Sequence, residues 1–341
     1  MSKKSIIIVL LFCLAGLAIA AAFLFLGKQQ PPSPPARVYK IGAVHYGGSY
    51  QNAVDGLKEG LKDFGLEEGK NVSFMIVDAG GKPEEVEKAV QKFIQEKVDV
   101  IYPIATPVTK IVKKETEGKG IPIVFNVVGD PIGAGFANSY REPGGNLTGC
   151  SNFSAELSSK RLEIFKEAFS SKPGTVLKFV TLYDPANTFS QLSIKVSREA
   201  VVKLGGIKLE EVNVKTADDL SSALAGLKPG QYDGIFTTPD AMVIGKIEMV
   251  TKRAAELKIP VMAHEDTLIQ KGATIIYGAN FFEMGKLCSR VVNEVLQGGQ
   301  PAHIPIEVPF KIDLVINLKG AKEIGFNIPQ ELLAKANLVV E

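Results

Sequence analysis

From Val38 onward the chain alternates β-branched runs with amphipathic stretches, and it writes that alternation twice. In the first half Lys40 to His45 reads as a strand. Ala53, Val54, Leu57, Leu61 and Phe64 then share one face of a helix at 3.6-residue spacing, with Gly65 where a left-handed stop belongs. Asn71 to Val77, Pro83 to Glu96 and Val98 to Ala105 follow as strand, helix and strand. The order returns in the second half as strand Leu177 to Tyr183, a helix with Leu192, Val196, Ala200 and Leu204 inward and Gly205 as its stop, and strand Lys208 to Val214. Helix Asp219 to Gly226 and strand Asp233 to Thr238 extend the echo, and Ile121-Pro122-Ile123-Val124 has its counterpart in Ile259-Pro260-Val261-Met262. This order predicts an α/β fold of mostly parallel sheets faced by helices, in two equivalent lobes with a cleft between them. A length of 341 residues suits two domains at roughly 100–200 residues each.

Composition narrows the function classes. Hydrophobic residues at 45% and charged residues at 22% match a folded globular chain. Lys and Arg total 39 against 37 for Asp and Glu, scattered rather than gathered into a stripe, so no footprint for nucleic acid is present. The three cysteines, Cys13, Cys150 and Cys288, have no second cysteine or histidine at metal-ligand spacing, and three histidines are too few for a histidine-rich metal site. No cofactor fingerprint occurs. Cys150 and Cys288 can pair in an oxidising compartment, but isolated cysteines are more often small buried core residues, and that is the expectation here.

The first 37 residues read as a targeting segment and spacer. After the basic start at Lys3 and Lys4, Ile6 to Gly27 runs without a charge, enough at about 1.5 Å per residue to cross roughly 30 Å of hydrocarbon. Two fates compete: a signal peptide cleaved at Ala18-Ile19-Ala20 or Ala20-Ala21-Ala22, or an uncleaved anchor. Cleavage would leave Phe23-Leu24-Phe25-Leu26 at an exposed terminus, which favours the anchor. Leu11-Phe12 before Cys13 lacks the small residues of a lipoprotein site. The lysines keep the N-terminus inside and send the rest out, and Pro31-Pro32-Ser33-Pro34-Pro35 forms a stiff spacer.

In open parallel sheets, ligands bind at the carboxyl ends of strands, where helix N-termini expose unpaired N–H groups. That rule selects Tyr46 and Ser49 in the loop His45-Tyr46-Gly47-Gly48-Ser49, Thr106-Pro107, Asn126 to Asp130, Asp184 to Thr188 with Asn187, Thr238-Pro239-Asp240, His264-Glu265 and Asn280. Each has a structural alternative. Ser49 or Tyr50 can cap the next helix, Thr106 and Thr238 can cap theirs with proline in the first turn, and Asp184 and Asn187 can form an Asx turn. The sharpest expectation is that Asp240 meets a ligand ammonium group. His264-Glu265-Asp266 gathers an imidazole and two carboxylates, but no nucleophile elbow or metal motif accompanies them, so an enzyme is not expected.

Gly129-Asp130-Pro131-Ile132-Gly133-Ala134-Gly135, Arg141-Glu142-Pro143-Gly144-Gly145-Asn146-Leu147-Thr148-Gly149 and Ser154-Ala155-Glu156-Leu157-Ser158-Ser159-Lys160-Arg161-Leu162-Glu163 together are distinctive. With Tyr183-Asp184-Pro185-Ala186-Asn187 and Asp313-Leu314-Val315-Ile316-Asn317-Leu318-Lys319, they make the chain closely resemble the bacterial ABC-transporter substrate-binding proteins that include tryptophan and tyrosine uptake proteins. The resemblance covers Val38 to Glu341. It implies a type I periplasmic-binding-protein fold: two Rossmann-like lobes with parallel sheets, a hinge and three crossovers. The lobes would comprise residues 38–149 plus 281–309 and 150–280 plus 310–341. It also implies a monomer on the extracytoplasmic face of the membrane, held through residues 6–27, that closes on a small polar ligand such as an amino acid and serves ABC permease and ATPase subunits. The same resemblance carries a ligand role onto Thr106, Asp184, Asn187 and Asp240. Ala241-Met242 departs from the polar pair expected after Asp240, which leaves the ligand's identity open. The alternative is a ligand-sensing domain signalling to a separate membrane receptor.

Overall fold

The computed structural model describes residues 37–171 and 174–341. The apolar segment Ile6 to Gly27 and the proline spacer lie outside the described residues. Among the described residues, no helix is long and apolar enough to cross a membrane.

The first lobe runs β1 (Tyr39–His45), α1 (Gln51–Lys62), β2 (Val72–Asp78), α2 (Pro83–Gln95), β3 (Val100–Pro103), α3 (Thr106–Glu115), β4 (Ile123–Val128) and β5 (Leu147–Ser151). Its five strands lie in the order β2-β1-β3-β4-β5, with every neighbouring pair parallel. The second lobe runs α4 (Ser158–Glu167), β6 (Leu177–Tyr183), α5 (Thr188–Leu204), β7 (Ile207–Asn213), α6 (Ala217–Gly226), β8 (Gly234–Phe236), α7 (Ala241–Gly245), α8 (Ile247–Leu257), β9 (Val261–Ala263) and β10 (Ile275–Gly278). Helix α9 (Phe281–Leu296) returns to the first lobe, and β11 (Asp313–Asn317) and β12 (Leu338–Val340) rejoin the second. The chain thus passes between the sheets three times: after β5, after β10 and before β11. The seven-stranded order is β12-β11-β10-β9-β8-β6-β7.

The central strands of each sheet are buried on both faces, which is why they read as apolar runs, whereas the edge strands β2, β7 and β12 are only partly covered. In the first lobe Ile41, Leu57 and Val292 pack on one face, and Val44, Val90 and Phe93 on the other. In the second, Val180, Leu224 and Val250 oppose Phe165, Phe179 and Ile316.

Several expectations need correction. The second sheet is not wholly parallel, because β11 pairs antiparallel with β10. It enters from the other lobe, with no crossover helix to reverse its direction. Phe64 is 43% exposed, because α1 ends at Lys62 and the phenyl ring falls beyond it in the turn that Gly65 closes at φ 72. Helix α5 is rotated from its predicted face. Ser190, Ser193, Ser197 and Ala200 point inward, while Leu192 and Val196 are half-buried. The Ser158 and Ser193 hydroxyls meet at 2.6 Å, so α4 and α5 pack through hydrogen bonds that an apolar-periodicity rule does not read. Cys150 and Cys288 are buried as expected but are not separate: they form a disulfide with Cα atoms 5.8 Å apart. The disulfide joins the end of β5 to α9 across 138 residues of sequence.

Helices α1 and α9 approach closely because Gly56, Gly60 and Gly285 face the contact. A Cβ on Gly56 would lie 1.9 Å from the Phe282 carbonyl oxygen, a backbone atom that no rotamer change can move aside. Helix propensity alone favours alanine over glycine by about 1 kcal/mol. Overpacking costs about 1–3 kcal/mol and occasionally more, and here it meets backbone. Gly56→Ala is therefore expected to destabilise the protein by about 1–2 kcal/mol net, read as a lower denaturation midpoint with an unchanged slope. A gain in stability would mean the helices separate freely.

Candidate ligand-binding cleft

Strand order reverses at β1, which lies between β2 and β3, and at β6, which lies between β7 and β8. The helices leaving neighbouring strands diverge to opposite faces at such points and open a crevice at the strands' carboxyl ends. Both crevices face one cavity of about 450 Å³.

On the first-lobe side, Ala105 is the N-cap of α3 and adopts φ 80, ψ 151, a conformation nearly reserved for glycine. It supplies no side-chain cap, and Thr106, expected as the cap, sits one position inside the helix with Pro107 after it. The Thr106 and Val108 N–H groups at the start of α3 therefore have no side-chain acceptor among the described residues, and Pro107 between them has no N–H. Val127, at φ 54, lines the same wall where the register between β4 and β5 shifts, and its N–H is held by Asn126 Oδ1 at 2.8 Å. A left-handed valine is costly, of order 1–3 kcal/mol. Tyr50 stacks on Phe281 with ring centroids 5.4 Å apart.

On the second-lobe side the helix starts are already capped. Asn187 Oδ1 accepts from Phe189 N and Ser190 N at 3.0 and 3.2 Å, and Asp184 Oδ1 accepts from Ala186 N at 2.9 Å. Phe189 reaches across to the first lobe, and its ring covers Gly129 so closely that a Cβ there would lie 1.8 Å from Cζ.

The predicted site residues separate into two groups. Thr106, Asp184, Asn187, Asp240 and His264 line the cavity, whereas Tyr46, Ser49, Thr238 and Asn280 are not among its lining residues. Tyr46 packs against the first lobe's core, and Ser49 sits in a short 3-10 turn whose N-cap, Gly47, has no side-chain cap. Asn280 caps α9 through Glu283 N at 3.1 Å and donates to Asp266 Oδ2 at 3.0 Å. Thr238 is not a cap either. Its hydroxyl is buried without a partner among the described residues, and Asp240 caps α7. Asp240 also differs from expectation. Its side chain is wholly buried, with Oδ1 accepting from Met242 N and Val243 N and Oδ2 from Asp184 N and Ser190 Oγ, at 2.7 to 3.0 Å. A carboxylate has about four acceptor sites, and all are filled.

Glu265, unlike Asp240, faces the cavity with acceptor capacity to spare. It is 12% exposed, accepts from Thr267 Oγ1 at 3.1 Å through Oε1, and holds Oε2 3.8 Å from His264 Nε2. Burial pushes Glu265 up to about 7, opposed by the Thr267 hydrogen bond and helped by Asp266. Asp266 is pushed up to about 6, also chiefly by burial. His264 is held well below its ordinary range by burial first and by Arg161 second, and is neutral. Its Nδ1 is buried without a partner among the described residues. Arg161 is itself fully buried, donating to the Ser154 carbonyl, to Ser158 Oγ at 2.9 Å and to the Tyr277 carbonyl at 3.4 Å. It braces the first interlobe segment against the strand that precedes the second.

The sequence profile of ABC transporter substrate binding proteins matches residues 41–340. The chain belongs to that family. The family is one of binding proteins rather than enzymes. This substrate-binding protein is 27% identical over 269 residues to a tyrosine-binding protein of Clostridioides difficile, covering 79% of this chain and 75% of the relative. Among solved structures it is similar to an ABC domain in complex with L-Trp from Streptococcus pneumonia, with TM-score 0.76 and 22% identity over 89% of this chain and all of that one. It is also similar to the ligand-free, open structure of a substrate binding protein with adhesive properties from Clostridium difficile. That pair has TM-score 0.69 and 25% identity over 89% of this chain and 99% of the other.

Of the cavity residues, Tyr50, Lys110, Asn152 and Phe189 carried no ligand expectation from sequence. They lie within elements or in the interlobe segment, where strand-end reasoning does not look. The left-handed Ala105 and Val127 have no sequence signal.

Proposed function

We propose that this protein is the extracytoplasmic binding component of an ABC importer, delivering a free amino acid to permease and ATPase subunits from a tether at residues 6–27. The lobes of that reading are 38–149 plus 281–309 and 150–280 plus 310–341, hinged at the three interlobe segments. The observation that carries it is the polarity of the cavity. The uncapped N-terminus of α3 on one wall suits a carboxylate, and the Glu265 carboxyl on the other suits an ammonium group. Tyr50, Val127, Phe189 and Ile244 supply apolar surface between them for a side chain. The tyrosine-binding relative and the L-Trp complex support an aromatic amino acid. The buried disulfide supports an oxidising compartment. The Phe189 contact with Gly129 supports closure, because an apolar contact between lobes exists only while they are together.

The soluble part, starting near Arg37, is expected to be monomeric and to gain about 2.7 kcal/mol of stability when L-tyrosine or L-tryptophan is ~100-fold above its dissociation constant. Thermal unfolding with a panel of amino acids, sugars and nucleobases checks this. A shift with sugars alone would reject the amino-acid assignment.

A further inference from the structure

We infer that Glu265 is the cleft's receptor for the ligand's ammonium group and that capture therefore expels one proton from the protein. The inference rests on the amino-acid reading of the cleft and adds to it a specificity residue and a pH dependence.

Four acidic residues line the cavity, and Glu265 differs from the other three in its surroundings. Asp240, the other buried carboxylate on the second-lobe wall, has all its acceptor sites filled by the protein. Asp184 and Asp130 each have Oδ1 committed to a local turn, to Ala186 N and Gly133 N at 2.8 to 2.9 Å, and keep Oδ2 open among the described residues, so what sets Glu265 apart from them is the buried polar wall it shares with His264. Glu265 Oε2 has no hydrogen-bond donor among the described residues, its neighbour being a neutral imidazole at 3.8 Å. The adjoining His264 Nδ1, in a residue 7% exposed, is likewise unpartnered among the described residues, so this part of the second-lobe wall holds two unmet polar atoms.

The groups around Glu265 do not neutralise it. Tyr50 faces it from the first lobe with a phenol that burial and Glu265 itself keep protonated. Asp266, next in the chain, opposes its charge. Lys271 favours its charge, less strongly than burial disfavours it. Arg161 acts electrostatically on His264, and its two terminal nitrogens donate to neutral oxygens of Ser154, Ser158 and Tyr277. Burial therefore pushes the empty-cleft carboxyl up to about 7. An arriving ammonium pairs with the ionised form, the carboxyl proton leaves to solvent, and the complex holds a carboxylate–ammonium pair. A free amino acid stays zwitterionic throughout pH 5 to 8, so the proton comes from the protein.

The sign follows from linkage. Only ionised Glu265 binds, so affinity is full above about pH 7 and falls about tenfold per unit below it. The dissociation constant for L-tyrosine or L-tryptophan, measured by calorimetry, is expected to rise about 100-fold from pH 8 to pH 5. At pH 6, titrations in buffers of differing ionisation enthalpy should report release of about one proton per ligand. Glu265→Gln, the same shape without the charge, should bind more weakly at pH 8 and lose most of the slope. The analogue 3-(4-hydroxyphenyl)propionate, which lacks the ammonium, should bind the wild-type protein without releasing a proton. Amino-acid binding that is flat with pH and releases no proton overturns the inference while leaving the amino-acid reading standing. A full slope retained by Glu265→Gln overturns it in favour of Asp266. Absence of binding by either amino acid at any pH overturns both. The buffer titrations need only wild-type protein, so they decide even if the variant folds poorly.

Discussion

Removing the Cys150–Cys288 disulfide, as Cys150→Ala with Cys288→Ala, is expected to lower stability by about 4–5 kcal/mol. The two residues stand 138 apart, and cross-linking a loop of that length removes roughly this much chain entropy from the unfolded state. The position adds a consequence. Cys150 is where the chain leaves the first lobe, and Cys288 lies on the helix to which it returns, so the closed loop contains strands β6 to β10. The second lobe, apart from β11 and β12, is thereby an insertion clamped at its base, on the first-lobe side of two interlobe segments. Chemical denaturation with and without reductant checks the magnitude: the wild type in reductant should approach the double variant. A loss under about 1 kcal/mol would mean the two lobes hold their bases together without the bond.

Asp240→Asn is expected to cost about 2–4 kcal/mol of stability and to leave ligand affinity within a few-fold of wild type. The carboxylate's Oδ2 receives the Asp184 N–H and the Ser190 hydroxyl, tying the end of β6 and the start of α5 to the start of α7. An amide placed there keeps the Oδ1 cap to Met242 and Val243 but turns an NH2 toward the Asp184 N–H, donor against donor. Two hydrogen bonds to a charged group, each worth about 1.5–3 kcal/mol, are lost or inverted, with partial repair because the Ser190 hydroxyl can rotate. Comparing denaturation midpoints with titration of the same variant separates the roles. A large loss of affinity with little loss of stability would return Asp240 to the ligand.

Asp240 and Glu265 together show how the candidate site was legible and where legibility ended. Both sit at strand ends of the second lobe, which the alternation of apolar runs locates well. Which of the two is free for a ligand depends on Ser190 and Asp184, 50 and 56 residues from Asp240 in sequence. Nothing local to Thr238-Pro239-Asp240 reports those donors.

What the sequence by itself determined was the local layer. Strand and helix periods placed the alternation of β1 to β4 and β6 to β8, Gly65 fell at its left-handed stop, and the strand-end rule led to Thr106, Asp184 and His264 at the cavity. These are properties of a few consecutive residues, set by backbone sterics and side-chain spacing. Only the tertiary structure decided that Cys150 meets Cys288, that β11 runs antiparallel to β10, that α5 buries serines rather than Leu192, and that Glu265 rather than Asp240 keeps an open acceptor. Each of those depends on which distant segment becomes a neighbour. A polar side chain's role is set by the partners that satisfy it, and those partners are brought together by the packing of whole sheets and helices.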